Sequence, residues 1–428
     1  MRVDPAGAIV GHIAVPGDKS ISHRAVLIGA LVEGPTRIHG FGRSGDTDAT
    51  VRALRALAVE IEDASADELV VHGVGVRGLS APAEPIDCGN AGTLMRLLAG
   101  ILAGQSGRFE LSGDDSLRAR PMDRVAEPLV RMGAHIETNN GLPPIVVEGT
   151  DSLRGIEYAL PVASAQVKSA ILLAGLNARG RTTVVEPAPT RDHTELMLAA
   201  AGARVGRHPN SVSIEPAGSL ELGEVTVPGD FSAAAPFVVA ATLLPGSELT
   251  IHDLGLNPLR TGLLDVLERM GARLAVFNRR KVGGEWIGDL EVRSAELVGA
   301  EVDAEEVPRL VDELPLFALA AAFARGESRV RGAGELRVKE TDRIETVTTG
   351  LRTLGVRVRA RDDGFWVRGV PSRPRGGSMS SAGDHRVAML AAVAGLVSRE
   401  GVDVRDAEAV AISFPGFFDL VEAVAQRG

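Results

Sequence analysis

Six stretches of this chain are apolar over about a dozen positions, and each ends at a glycine followed by a strand-like segment. Val15–Ile38 reads VPGDKSISHRAVLIGALVEGPTRI, and Val227–Ile251 reads VPGDFSAAAPFVVAATLLPGSELTI. Cys88–Leu111, Val162–Val185, Val311–Gly332 and Ala382–Val404 share the shape without the opening phrase. The pattern predicts six apolar helices, closed by Gly34, Gly107, Gly180, Gly246, Gly326 and Gly401. Their spacing, roughly 66 to 80 residues, suits a small α+β unit better than a solenoid repeat.

A second phrase recurs between them: LVRMGAHIE from Leu129, LMLAAAGARV from Leu196, VLERMGARL from Val266 and GLRTLGVRV from Gly350. Each reads as an amphipathic helix, a glycine C-cap and a strand. Ala58, in RALAVEI, holds the corresponding place in the first copy. Every unit is therefore expected to run strand, apolar helix, strands, second helix, strand, with three units in each of two lobes. The two VPGD phrases mark where the halves begin. The expected lobes are 1–15 with 229–428, a discontinuous lobe, and 16–228, inserted into it.

Composition narrows the classes. A chain of 428 residues allows two or three domains, and 45% apolar against 24% charged residues allows packed cores. The net charge of −10 and 3% aromatics argue against a nucleic-acid binder. Cys88 is the only cysteine, so no internal disulfide forms. Met1 to Val15 shows no cationic-then-apolar run, and no apolar stretch approaches the roughly 18 residues of a membrane span. The expectation is a soluble cytoplasmic protein.

Cations gather at the predicted helix starts. Lys19, Ser20 and Arg24 open the first apolar helix, Gly-Asn-Ala-Gly-Thr with Arg96 the second, Ser164-Ala165-Gln166-Val167-Lys168 the third, and Asp384-His385-Arg386 the sixth. Free N–H groups and the helix dipole favour anions there. Beside them lie Arg118-Ala119-Arg120-Pro121, Thr190-Arg191-Asp192-His193 and Val338-Lys339-Glu340-Thr341-Asp342-Arg343. Eight cations in or near these motifs (Lys19, Arg24, Arg120, Lys168, Arg191, Lys339, Arg343, Arg386) point to a cleft for strongly anionic small molecules. Taken singly the motifs have plainer readings: KETDR as a salt-bridged helix start, Asp312 as a helix cap, Cys88 and His23 as structural residues. His193 and His385 lack metal-site spacing.

Together, PGDKSISHR, GNAGTLMR, RARPM, SAQVKSA, TRDHTE, VKETDR, GDHRVAM and SFPGFF form a signature set. Along essentially its whole length the chain resembles the 5-enolpyruvylshikimate-3-phosphate (EPSP) synthase family. The resemblance implies the two-lobed α/β (α+β) enolpyruvyl transferase fold, each lobe made of three βαβαββ units. It implies transfer of the enolpyruvyl group of phosphoenolpyruvate to the 5-hydroxyl of shikimate 3-phosphate, with release of phosphate and no metal or organic cofactor. Its partners would be those two anions, with no nucleic acid or membrane, and the protein a monomer.

Matched residue by residue, the phosphoenolpyruvate set is Lys19, Gly92 through its backbone, Arg120, Gln166, Arg343 and Arg386. The shikimate 3-phosphate set is Ser20 and Arg24 at the carboxylate; Ser164, Ala165 through its N–H, and Arg191 at the phosphate; and Gln166, Asp312 and Lys339. Asp312 matches the hydroxyl-side base and Glu340 the C3 proton donor, with Lys19 and Lys339 close to the reacting centre. Residues from both lobes take part, so the resemblance implies an open empty enzyme that closes on substrate.

Two positions depart from the family pattern: Ile412 stands where many members have a phosphoenolpyruvate-binding lysine, and Leu97 where much of the family has proline. Gly92 lacks the methyl group that some tolerant members set against glyphosate, so inhibition by glyphosate is expected. The nearest rival is the sister enzyme UDP-N-acetylglucosamine enolpyruvyltransferase, whose loop cysteine would fall near Asp115. A non-catalytic anion-binding protein on the same fold is a second rival, although Asp312, Glu340 and Lys19 exceed what binding alone needs. RNA-end processing on a related repeat fold is disfavoured by the acidic balance.

Overall fold

Each apolar stretch forms a helix that beyond its first turns is buried on nearly every side, as expected where polar residues are missing from all faces. The computed structural model describes residues 1–427. The helices are α1 (Lys19–Ala30), α2 (Gly92–Leu102), α3 (Ala165–Gly175), α4 (Phe231–Leu243), α5 (Leu314–Phe323) and α6 (His385–Val397). Asp18, Ser164, Asp230 and Asp384 cap α1, α3, α4 and α6 by accepting from first-turn N–H groups. No helix among the described residues is long and apolar enough to cross a membrane.

Backbone proximity divides the chain into two units. The inserted unit is Gly17–Val227 with Val282–Glu285; the terminal unit is Met1–Pro16, Pro228–Lys281 and Trp286 onward. Each has its own apolar core.

In the inserted unit α2 packs on α3 and α1, and three four-stranded sheets share one strand pattern. The order is Glu224–Thr226, Glu33–His39, Glu68–Val74, Glu60–Asp63 in the first. It is Ile86–Asp87, Arg108–Ser112, Leu142–Glu148, His135–Asn139 in the second. The third runs Glu157–Ala159, Thr182–Val185, Ser211–Ile214, Val205–His208. The first pair of each sheet is parallel and the others antiparallel. A parallel pair needs a crossover, and in the second and third sheets α2 and α3 provide it. In the first sheet the parallel strand, Glu224–Thr226, arrives from the far end of the unit. Gly17 of the PGDKS phrase is required by close approach: a Cβ there would lie 1.9 Å from the Gly40 carbonyl oxygen.

In the terminal unit α4, α5 and α6 pack on one another. Glu301–Val302, Gly326–Val330, Gly364–Gly369 and Arg357–Arg361 repeat the same order and directions. Ala8–Ile13 lies parallel to Glu248–Gly255 in a five-stranded sheet that adds Ala425–Gln426 at its edge. The sixth repeat departs from the expected unit. Its sheet has three strands, with Arg2–Val3 in the place of its own hairpin. A 3-10 helix, Ala407–Ile412, precedes SFPGFF, whose last two residues open the helix Phe417–Val424.

The six glycines after the apolar helices all have positive φ. So do Gly133, Gly202, Gly271 and Gly355, which end the second helices, and Ala58 adopts the same left-handed conformation at φ 66°. The alanine therefore carries a strain that its four counterparts avoid.

Candidate active site

In the inserted unit the first turns of α1, α2 and α3 carry most of the expected anion-binding side chains. Arg24, one turn into α1, is 3% exposed. It donates to Thr194 Oγ1 (2.6 Å), the Ser20 carbonyl (2.8 Å) and Ser169 Oγ (3.1 Å), and makes no ion pair among the described residues. Burial, only partly offset by the Glu195 carboxylate and reinforced by the charge of Arg191, lowers its pKa to about 10. A buried guanidinium held by neutral oxygens is a receptor for a carboxylate. Lys19 pairs with Asp46 at 2.9 Å. His23 donates to or accepts from Thr50 at 2.6 Å, and burial drives its pKa down to about 3, so the ring is neutral.

Gly92 is the first residue of α2. A Cβ there would meet Arg96 Nη1 at 2.8 Å and Arg120 Nη1 at 3.3 Å, so two guanidinium tips crowd this turn. Arg120 donates to Asn90 (2.7 Å) and Ser116 (3.2 Å). Gln166 is held from both ends, accepting from Arg96 (2.8 Å) and donating to Thr93 Oγ1 (2.9 Å). Ser164 is the N-cap of α3 and Ala165 its first residue, a turn whose N–H groups suit a phosphate.

The terminal unit gathers a different set. Arg343, 1% exposed, donates to Asp384 (2.7 and 3.2 Å), Glu340 (2.5 Å) and Asp312 (3.5 Å). Burial alone would lower its pKa, but the charges of Asp384, Glu340 and Asp312 raise it above the ordinary arginine value. Asp384, at the N-cap of α6, is held below the usual carboxylate range by Arg343 despite its burial. Asp312 also lies 3.4 Å from Arg386 and 3.5 Å from Arg260. Asp312 does not cap α5: the N-cap position belongs to Glu313.

The structure thus brings Lys19, Ser20, Arg24, Gly92, Arg120, Ser164, Ala165, Gln166 and Arg191 into one unit. It brings Asp312, Lys339, Glu340, Arg343 and Arg386 into the other. Lys168 does not belong with the anion-binding cations. It is buried, 2.7 Å from Glu195 and 3.1 Å from Glu186, and also donates to the Thr190 carbonyl (3.2 Å), so its charge is neutralised internally. Arg96, which fixes Gln166, was signalled by its place one turn into an apolar helix. Arg260 and Glu313 carried no such signal. Ile412 ends the 3-10 helix Ala407–Ile412, half-buried. His193 is buried against Glu285 at 2.7 Å. A group of metal-ligand type, Glu60, Glu62 and His72, lies among strand residues that include none of the expected site.

Cations gathered at helix N-termini in one unit, and carboxylates clustered around arginines in the other, are chemically suited to small, multiply charged anions. The enolpyruvyl transferase NikO from Streptomyces tendae shares the fold, at a TM-score of 0.77 and 21% identity over 99% of this chain and 96% of that one. The chain belongs to the EPSP synthase (3-phosphoshikimate 1-carboxyvinyltransferase) family, whose model matches residues 3–421. Relatives named 3-phosphoshikimate 1-carboxyvinyltransferase from Alkalilimnicola ehrlichii and Salinibacter ruber are 52% and 47% identical to it. The alignments cover 98% and 99% of this chain and 94% and 99% of the relatives. EPSP synthase from Acinetobacter baumannii superposes with a TM-score of 0.89 at 43% identity, covering 100% of this chain and 98% of that one.

Proposed function

We propose that the protein transfers the enolpyruvyl group of phosphoenolpyruvate to the 5-hydroxyl of shikimate 3-phosphate. The observation that carries the reading is that Asp312 and Glu340 both bind the guanidinium of Arg343. A protein that only captured anions would gain nothing from collecting carboxylates beside its cations, whereas addition to an enol needs a base and an acid close together.

Arg24 and Ser20 hold the shikimate carboxylate. Ser164, the Ala165 N–H and Arg191 hold the 3-phosphate, and Lys339 contacts shikimate 3-phosphate near the reacting centre. Lys19, Arg120, Arg386 and the backbone at Gly92 hold phosphoenolpyruvate, and Gln166, locked by Arg96 and Thr93, touches both ligands. Arg343 turns to the incoming anion by exchanging its contact with Glu340, which leaves that carboxyl free beside C3. Asp312 takes the proton of the 5-hydroxyl as its oxygen bonds to C2, while Glu340 delivers a proton to C3. The tetrahedral intermediate then loses phosphate from C2, which leaves with the proton taken up by Asp312, and returns a C3 proton to Glu340, restoring the alkene. The fixed cations stabilise charge on the phosphate without reorganising.

The test is phosphate release from phosphoenolpyruvate with shikimate 3-phosphate or UDP-N-acetylglucosamine as acceptor in parallel. Release with shikimate 3-phosphate alone is expected. Release with the nucleotide sugar alone would transfer the reading to the sister enzyme, and folded protein inactive with both would leave an anion-binding protein.

A further inference from the structure

Behind Asp312 and Arg386 lies a second, deeper layer of buried charges that reaches the site through those two groups. Glu313 is 1% exposed. Its Oε1 accepts from the Ser232 hydroxyl and from Arg260 Nη1 (3.3 Å) and lies 3.6 Å from Arg386 Nη1. Its other oxygen, Oε2, is buried without a hydrogen-bond partner, an arrangement costly enough to need a reason. Arg260 is buried as well. It donates to Ser232 Oγ (2.5 Å), lies 3.3 Å from Asp230, and reaches Asp312 Oδ2 at 3.5 Å. These groups come from the starts of all three core helices of the unit: Ser232 from α4, Glu313 from α5 and Arg386 from α6.

The distances are informative. A free carboxylate and guanidinium close to about 2.7–2.9 Å, yet Asp312 and Arg386 stand 3.4 Å apart. Each has a competing partner beneath it, Arg260 under Asp312 and Glu313 under Arg386. The ion pair is therefore shared around a four-membered ring of alternating charges instead of closing on itself.

We infer that Arg260 and Glu313, tied together by Ser232, are positioning residues that keep Asp312 and Arg386 from closing on each other, so that both can engage substrate. Neither residue is exposed enough to touch substrate, and both act through the groups above them. Without Glu313, Arg386 collapses onto Asp312 and is lost to phosphoenolpyruvate. Without the fork of Arg260, Asp312 tightens onto Arg386 and is lost as a base.

This rests on the proposed function, and steady-state kinetics of the full chain separate the two. Glu313→Gln is expected to raise KM for phosphoenolpyruvate about tenfold, with KM for shikimate 3-phosphate within about twofold of wild type. Arg260→Gln is expected to lower kcat about tenfold or more, and Arg260→Lys, which keeps the charge, to recover part of the loss. Ser232→Ala, too small a change to prevent folding, should raise KM for phosphoenolpyruvate by about two- to fivefold. Should a charge variant fail to fold, Ser232→Ala and Arg260→Lys decide the matter. Variants that retain wild-type kcat and KM, or in which both KM values rise together, overturn the positioning role. A wild-type chain that releases no phosphate overturns the functional reading instead.

Discussion

Arg24 in the inserted unit and Arg343 in the terminal unit are 3% and 1% exposed, yet their surroundings are opposite. Arg24 bonds only hydroxyls and a carbonyl, and burial pulls its pKa down. Arg343 bonds three carboxylates, which more than reverse the effect of burial. The same side chain is thus held by neutral oxygens in one unit and is the hub of a charge network in the other. The two VPGD phrases show the same divergence. In the first, Asp18 caps a helix that opens with Lys19; in the second, Asp230 caps one that opens with Phe231, which is fully buried. The first helix start offers a cation, and the second is closed by Arg260 and Glu313. Both phrases keep an aspartate N-cap while the charges that follow differ, a lysine opening the first helix and a buried phenylalanine the second.

The contrast is widest at Glu340, the carboxylate of the Arg343 network to which the proposed mechanism gives the C3 proton transfer. Glu340→Gln should lower kcat by about a thousandfold or more, while binding of shikimate 3-phosphate, measured by titration calorimetry, stays near wild type. Normal turnover would remove Glu340 from proton transfer.

The two arginines can be set against each other directly. Arg343→Met leaves Asp384 buried with no counter-charge and should cost about 3–5 kcal/mol in urea unfolding. Arg24→Met removes a charge that had no partner, and Ser169 and Thr194 remain bonded to each other at 2.7 Å. It should stay within about 1 kcal/mol of wild type while KM for shikimate 3-phosphate rises about a hundredfold. Equal stability losses would show the two environments to be alike after all.

A smaller effect is expected at Gly92. The methyl group of Gly92→Ala would push on Arg96 and Arg120, raising KM for phosphoenolpyruvate several-fold, up to about tenfold, and weakening inhibition by glyphosate more. Unchanged inhibition would show that the guanidinium tips yield without consequence. Smallest of all, Ala58→Gly relieves a left-handed alanine far from both networks. It should stabilise the protein by about 0.5–1 kcal/mol and leave kcat and both KM values untouched.

The repeats were legible because apolar runs, terminal glycines and N-capping residues act within a few residues of themselves. The cation-bearing helix starts were legible for the same reason. Lys168 shows the limit. In SAQVKSA it reads as one more anion-binding cation, but Glu186 and Glu195, 18 and 27 positions away, neutralise it. Arg260 in NPLRTG and Glu313 in VDELP carry no local mark of their partnership, since the contact that joins them spans 53 positions. The sixth repeat departs from the expected unit because its neighbouring strand is Arg2–Val3, from the other end of the chain, a pairing no local pattern encodes.

The sequence by itself determined the element types, the six-fold repetition, the left-handed helix ends and the residues able to bind anions, all properties of local pattern and side-chain chemistry. Only the tertiary structure decided which of those charges are spent on one another and which are left for a ligand. Burial strengthens electrostatic interactions, so a charge's role depends on partners that the fold, not the neighbouring sequence, brings within about 4 Å.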